Sequence, residues 1–297
     1  MFGVRLLAAG GRIVLVGSSE RKPGQATGHL AVWTSEDGQF WSKSPDRSGL
    51  GFDGYDHAYV SGLVRVNGRI FVSAQFGVEG PERSALWSSG DGRNWQRLHP
   101  RGLGHGILMR IFPGRREVLG FLQVVRNNQL HSLLVSSRDG VDWRRIGELP
   151  ASGFGELWVA QVTGGLVAVG TATDQSISPS AWVSPDGVEW TQTLVSREFV
   201  RGDVTSIGWY LRDVAARGSL VVMVGSASNV DGGDADHQAS FAMHSTDGGA
   251  TWTPSLGWPG LEGGCMDRVA IGATTMVATG AECQPERGPT AWFAPLP

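Results

Sequence analysis

The chain is 297 residues long, 41% hydrophobic and 18% charged, with a formal net charge of −3. That is enough apolar material for a sizeable core, and the near-balanced charge with no contiguous basic block gives no reason to expect a nucleic-acid partner. Residues 4–9 form too short an apolar run for a signal peptide or membrane span, and Gly10-Gly11 breaks it.

One short stretch recurs along the chain. It reads Ser35-Glu-Asp37-Gly38-Gln-Phe-Trp41, then Ser89-Gly-Asp91-Gly92-Arg-Asn-Trp95, Ser137-Arg-Asp139-Gly140-Val-Asp-Trp143 and Ser184-Pro-Asp186-Gly187-Val-Glu-Trp190. The fullest copy is Ser245-Thr-Asp247-Gly248-Gly-Ala-Thr-Trp252. Serine-to-serine steps of 54, 48, 47 and 61 residues mark a repeat architecture. Asp-Gly is a strong hairpin signal, because glycine supplies the positive φ the turn needs. The aspartate accepts hydrogen bonds from turn N–H groups, and the tryptophan folds back over the hairpin. Asp37, Asp91, Asp139, Asp186 and Asp247 are therefore expected to brace turns rather than to do chemistry.

The elements follow in order, with strands A to D in each repeat. Repeat one gives 3–8, 12–18, 30–35 and 40–44. Repeat two gives 58–66, 69–75, 84–89 and 94–98. Repeat three gives 107–112, 117–125, 131–137 and 142–146. Repeat four gives 157–163, 166–171, 180–184 and 189–194. Repeat five gives 207–215, 220–226, 240–245 and 251–254. Repeat six gives only 266–271, 275–281 and 290–294. The B strands share a valine-rich run that ends in a small residue, as in Val14-Leu-Val-Gly17, Val167-Ala-Val-Gly170 and Val222-Met-Val-Gly225. Such continuous apolar runs suit strands buried on both faces.

The repeated corner resembles the Asp-box, or bacterial neuraminidase repeat, of sialidase-like β-propellers. The form Ser-x-Asp-x-Gly-x-Thr-Trp is met in full at Ser245, Asp247, Gly249, Thr251 and Trp252, while the other four copies are one residue shorter and lack the threonine. The resemblance implies an all-β fold in a single domain, 1–297. This is a six-bladed β-propeller of four-stranded antiparallel blades, at about 1–47, 48–99, 100–148, 149–196, 197–256 and 257–297. Strands A to D then run outward from the axis. The sixth repeat has no box and no D strand. Either the last blade is three-stranded, or the natural protein begins upstream of Met1 and its N-terminus supplies the outer strand and an export signal.

In such blades the boxes are C→D corners, on the face opposite the D→A and B→C loops where propellers usually place their sites. Those loops mix carboxylates, arginines and aromatics, a combination that suits sugar binding, and a carboxyl pair at about 5–9 Å would suit glycoside hydrolysis. The candidate catalytic residues are Asp56, Glu156, Asp213 and Asp267, with Tyr210 beside Arg212 as the nearest match to the sialidase tyrosine nucleophile. Candidate substrate-binding residues are Arg5, Arg110, Arg212 and Arg268, which recur in strand A, with Tyr55, His57, His105, Trp158 and Trp209. Sialidases cluster three arginines on a substrate carboxylate, which guanidinium binds bidentately. Their Phe-Arg-Ile-Pro motif is absent here, Val4-Arg5-Leu6 being a poor echo.

No metal or cofactor motif is complete. Asp231, Asp234 and Asp236 offer oxygens for calcium but lack the Asp-x-Asp-x-Asp-Gly order and a closing glutamate. Cys265 and Cys283 lie symmetrically about residue 274, a hairpin turn, and so are expected to face each other. They form either a disulfide, implying an oxidising compartment, or two buried thiols that never pair. The functional expectation is an exported carbohydrate-directed propeller, hydrolase or glycan-binding, whose partner is a glycan or small molecule. The alternative is a non-catalytic scaffold that holds a protein partner in a cell-envelope complex.

Overall fold

The structure is a computed structural model. It describes residues 5–9, 11–20, 28–44, 58–76, 84–149, 157–172, 178–195, 207–229, 238–254, 264–282 and 289–297. The chain is a six-bladed β-propeller of antiparallel blades, four-stranded except for the three-stranded last, with no helix among the described residues. It divides into two compact units, Met1–Gly147 and Glu148–Pro297.

In the first unit, blade one is β1 Arg5–Ala9, β2 Arg12–Glu20, β3 Gly28–Ser35 and β4 Ser42–Lys43. Blade two is β5 Ala58–Val66, β6 Arg69–Phe76, β7 Ser84–Ser89 and β8 Gln96–Leu98. Blade three is β9 Ile107–Pro113, β10 Val118–Arg126, β11 Gln129–Ser137 and β12 Arg144–Glu148. In the second unit, blade four is β13 Leu157–Val162, β14 Gly165–Ala172, β15 Ser178–Ser184 and β16 Thr191–Val195. Blade five is β17 Ile207–Arg217, β18 Leu220–Asn229, β19 Gln238–Ser245 and β20 Thr253–Pro254. Blade six is β21 Gly264–Ile271, β22 Thr275–Glu282 and β23 Pro289–Pro295. The outer strands start after the corner tryptophan, two residues later than the sequence pattern suggests. The indole faces back into the corner, so pairing cannot begin until the chain has passed it.

Each corner satisfies its own backbone. In blade two, Ser89 Oγ donates to Asp91 Oδ1 at 3.0 Å and accepts from Gly92 N–H at 2.8 Å. Asp91 Oδ1 also accepts from the N–H groups of Arg93 and Asn94, both at 2.8 Å. Trp95 Nε1 donates to Gly92 O at 3.2 Å. The same indole bond recurs from Trp41, Trp143, Trp190 and Trp252 to Gly38, Gly140, Gly187 and Gly249 at 2.9–3.2 Å. The fifth corner carries one more residue, and it takes two left-handed glycines, Gly248 and Gly249 at φ 79° and 97°, to absorb it. Thr251 then closes both oxygens of Asp247, its N–H on Oδ1 and its hydroxyl on Oδ2.

In blades two, three and five the corner glycine also fixes where the blade sits on the one before it. A side chain at Gly92 would strike Val14 of blade one, one at Gly140 would strike Phe71 and Leu98 of blade two, and one at Gly249 would strike Val167 of blade four. The indoles then fill the space between blades. Trp95 is buried with Val14, Val16 and Val32 from blade one and Ile70, Val72 and Trp87 from blade two. Trp143 is buried between Val64, Phe71 and Leu86 of blade two and Leu108, Ile111 and Val118 of blade three. In the second unit, Val222 and Val224 of blade five share a core with Met266, Ala278 and Trp292 of blade six.

Two outcomes follow. Trp143→Ala is expected to lower the unfolding free energy by about 3–5 kcal/mol. Trp41→Ala, whose ring is already 37% exposed, should lose less than half as much, measured by urea denaturation. The corner carboxylates also link stability to pH. The Thr251 hydroxyl and N–H, then Ser245, hold Asp247 down from 3.8 to about 2, and the Asn94 N–H chiefly holds Asp91 lower still. Both groups are depressed in the folded state, so their contribution is complete above the unfolded value near 3.8. It drains away as pH falls through about 2. Urea midpoints should fall over that window, and Asp247→Asn should flatten the slope while lowering stability at neutral pH.

Candidate functional site

The A strands lie side by side, β1 next to β5 and β5 next to β9 in one unit, and β13 next to β17 and β17 next to β21 in the other. Four of them carry a β-bulge. The extra residues are Ser61 in β5, Met109 in β9, Arg212 in β17 and Asp267 in β21, while β13 pairs without interruption. A bulge bends its strand and re-aims the side chains around it.

In blades two, five and six the B strand facing the bulge carries a small residue there. Leu211 pairs with Gly225 and Asp213 with Val224, so Arg212 is squeezed out opposite the glycine. A Cβ at Gly225 would collide with the Tyr210 carbonyl and the Phe241 ring. At the equivalent place in blade six, a Cβ on Gly280 would collide with the Cys265 carbonyl. In blade two the position is Ala74, paired with Val60 beside the Ser61 bulge. The small residue that ends the valine runs of blades five and six is thus required by the bulge across from it. Buried polar groups secure the bulges of the first unit. Ser61 and Ser73 hydroxyls share a hydrogen bond of 2.8 Å, and Gln75 Nε2 donates to the Met109 carbonyl at 2.7 Å.

In the second unit the two bulges gather a polar group. Arg212 Nε stands 3.9 Å from Asp267 Oδ1, with the two side chains 40% and 52% exposed. The Arg212 guanidinium carbon lies 5.5 Å from the Tyr210 ring centroid, a cation–π arrangement. Tyr210 is half exposed, where a strand tyrosine is more commonly in the core. Arg268 Nη1 donates to the Arg212 carbonyl at 3.3 Å and to the Asp267 carbonyl. Asp213 Oδ2 accepts from the Val269 N–H at 3.1 Å and so clips β17 to β21. Tyr210, Arg212, Asp213, Asp267 and Arg268 are therefore brought together.

The other candidates are dispersed or lie elsewhere. Trp158 is buried in β13, Arg5 and Arg110 are half-buried in β1 and β9 of the first unit, and His105 is exposed. The stretch holding His105 is drawn onto the third corner by the bonds Arg101 N–H to Val141 O and Trp143 N–H to Arg101 O, at 2.7 and 3.0 Å. Trp209 pairs through its backbone with Ala227. Tyr55, Asp56, His57, Glu156, the calcium candidates Asp231, Asp234 and Asp236, and Cys283 lie outside the described residues. Among the described residues no cluster suited to a metal ion occurs. Across the β21–β22 hairpin Cys265 pairs with Ala281.

A comparison with known protein families found no matching model, and none of the curated proteins matches. Solved structures do. Trypanosoma rangeli sialidase is 12% identical with a TM-score of 0.57 over 99% of this chain and 55% of its own. Penicillium chrysogenum α-L-arabinanase is 11% identical, TM-score 0.59, over 99% and 93%. The phage phi92 endosialidase is 9% identical, TM-score 0.60, over 98% and 66%. This chain spans about half the length of the sialidase it matches. These likenesses show a β-propeller fold.

Gly225→Ala is expected to cost about 1–3 kcal/mol, as the added methyl forces the bulge apart. Asp213→Ala should destabilise by a similar amount, because it strands the Val269 N–H, whereas Asp213→Asn keeps an acceptor and should recover most of the loss. Chemical denaturation of the three variants checks both.

Proposed function

We propose that the protein is a carbohydrate-directed propeller whose glycan contacts are made at the bulged inner strands of blades five and six. The observation that carries this reading is the pair of bulges that set an exposed Tyr210 ring beside the Arg212 guanidinium and the Asp267 carboxylate. A flat aromatic face suits the apolar side of a sugar ring, and the guanidiniums and carboxylate suit its hydroxyls or an acidic substituent. The sialidase, arabinanase and endosialidase propellers with the same fold support it. In a hydrolase, Asp267 would act as one of the two catalytic carboxyls. We read the serine–aspartate–tryptophan corners as Asp-boxes on the strength of their shared hydrogen bonds. Export and a Cys265–Cys283 disulfide belong to the same proposal, supported by the lack of a free cysteine among the described residues.

A non-catalytic scaffold is the second reading. It is favoured by Asp213, whose carboxylate is committed to the β21 backbone. A panel of chromogenic glycosides together with a glycan-binding array decides. Turnover or binding that Asp267→Asn and Tyr210→Ala each reduce at least about tenfold, a loss of about 1.4 kcal/mol, supports the glycan reading. Neither turnover nor binding on any glycan supports the scaffold.

A further inference from the structure

We propose that the corner end of blades two and three is a docking surface for an anionic polysaccharide. Residues 84–148 hold ten arginines against five carboxylates, in a chain whose net charge is −3. Apart from the pairs Arg115-Arg116 and Arg144-Arg145 the arginines are dispersed in sequence, but the fold gathers several of them, with Arg69, at one end of the first unit. Arg93 and Arg138 sit in the second and third corners, Arg115 and Arg116 in the turn between β9 and β10, Arg69 at the start of β6, and Arg144 directly after Trp143. All six are exposed. The two blades form one continuous surface here. Asn67 Nδ2 donates to the Arg116 carbonyl at 2.8 Å, and Gly140 of the third corner packs on Phe71 and Leu98 of blade two.

The arginines outnumber the carboxylates at this end, Arg69, Arg93, Arg101, Arg115, Arg116, Arg138 and Arg144 against Asp91, Glu117, Asp139 and the Arg101-paired Asp142, so the surface is net cationic. Asp91 and Asp139 turn into their own corners. Glu117, only 18% exposed, is held between Arg138 Nε at 3.0 Å and Arg144 Nη2 at 2.9 Å. Those two arginines remain 84% and 65% exposed, with further N–H donors facing outward. Guanidinium binds carboxylate and sulfate in a two-point fork. A polysaccharide carrying such groups is favoured over two other polyanions. An anionic bilayer usually takes an apolar wedge among the cations; among the described residues of these two blades the exposed large hydrophobic is Val125, at the opposite end of blade three, while the exposed Phe40 and Trp41 belong to the first corner, in blade one, outside the arginine group. Nucleic-acid domains carry a strongly basic isoelectric point, and this chain's is about 6.2. The surface is separate from the Tyr210 group, and the inference does not rest on its function.

The test uses the full chain. Binding to heparin and to polygalacturonate is measured at about 50 and about 200 mM salt, beside duplex DNA and phosphatidylglycerol vesicles. The variant is Arg93→Glu/Arg115→Glu/Arg116→Glu, and Arg126→Glu at the opposite end of blade three is the control. The proposal expects polysaccharide binding that weakens at least about tenfold between the two salts. It expects a loss of about tenfold or more in the triple variant, no loss in the control, and unchanged thermal unfolding in both. No polysaccharide binding at the lower salt, equal binding by the triple variant, or tighter binding to DNA or vesicles would overturn it.

Discussion

The fold depends on how five corners dispose of their backbone polar groups. A chain reversal at the end of a sheet leaves N–H donors that no strand can pair. Here a serine hydroxyl and one carboxylate oxygen take three or four of them, and the indole N–H returns the favour to the glycine carbonyl. In the second and third corners the ring so tethered is buried in the seam against the preceding blade. Polar satisfaction and apolar burial are thus solved by the same seven residues.

At the other end of the blades the problem is reversed. The inner strands are crowded, and four of them shed the crowding as bulges. Those bulges place polar side chains where a regular strand would have turned them into the wall. Glycine at 225 and 280 is what makes room. The exposed tyrosine, the guanidiniums and the carboxylate of blades five and six are brought together by this backbone device and not by nearness in sequence.

The corners and their strands were legible because each carries its mechanism in consecutive residues. Serine, aspartate, glycine and tryptophan at fixed spacing announce a turn whatever surrounds them. Ala58–Val66 and Ser84–Ser89 are found with the limits that the pattern suggests. The bulges were not legible, since an extra residue leaves the composition of a strand unchanged. The one at Asp267 shifts β21 by one residue on β22, so that Cys265 pairs with Ala281. Gly225 and Gly280 opposite the bulges of blades five and six and Gln75 in an otherwise apolar strand are visible in the sequence, but Gly17 and Gly170 close the same kind of run opposite unbulged strands. Tyr210 was ambiguous for a related reason, because the strand pattern alone does not tell which way a residue beside a bulge points. The arginines of blade three were scattered in sequence and converge only through tertiary structure.

The corner glycines have a consequence for how the repeats live and die together. Gly92, Gly140 and Gly249 each present a bare hydrogen to a neighbouring sheet, so the joint is as much part of one blade as of the next. In an array of modules, stability is the sum of intrinsic terms and nearest-neighbour coupling. Here the coupling resides in the very residues that close each module. A blade so joined cannot keep its own corner intact and release its neighbour, and blades one to three, like blades four and five, are bound to melt as one cooperative block.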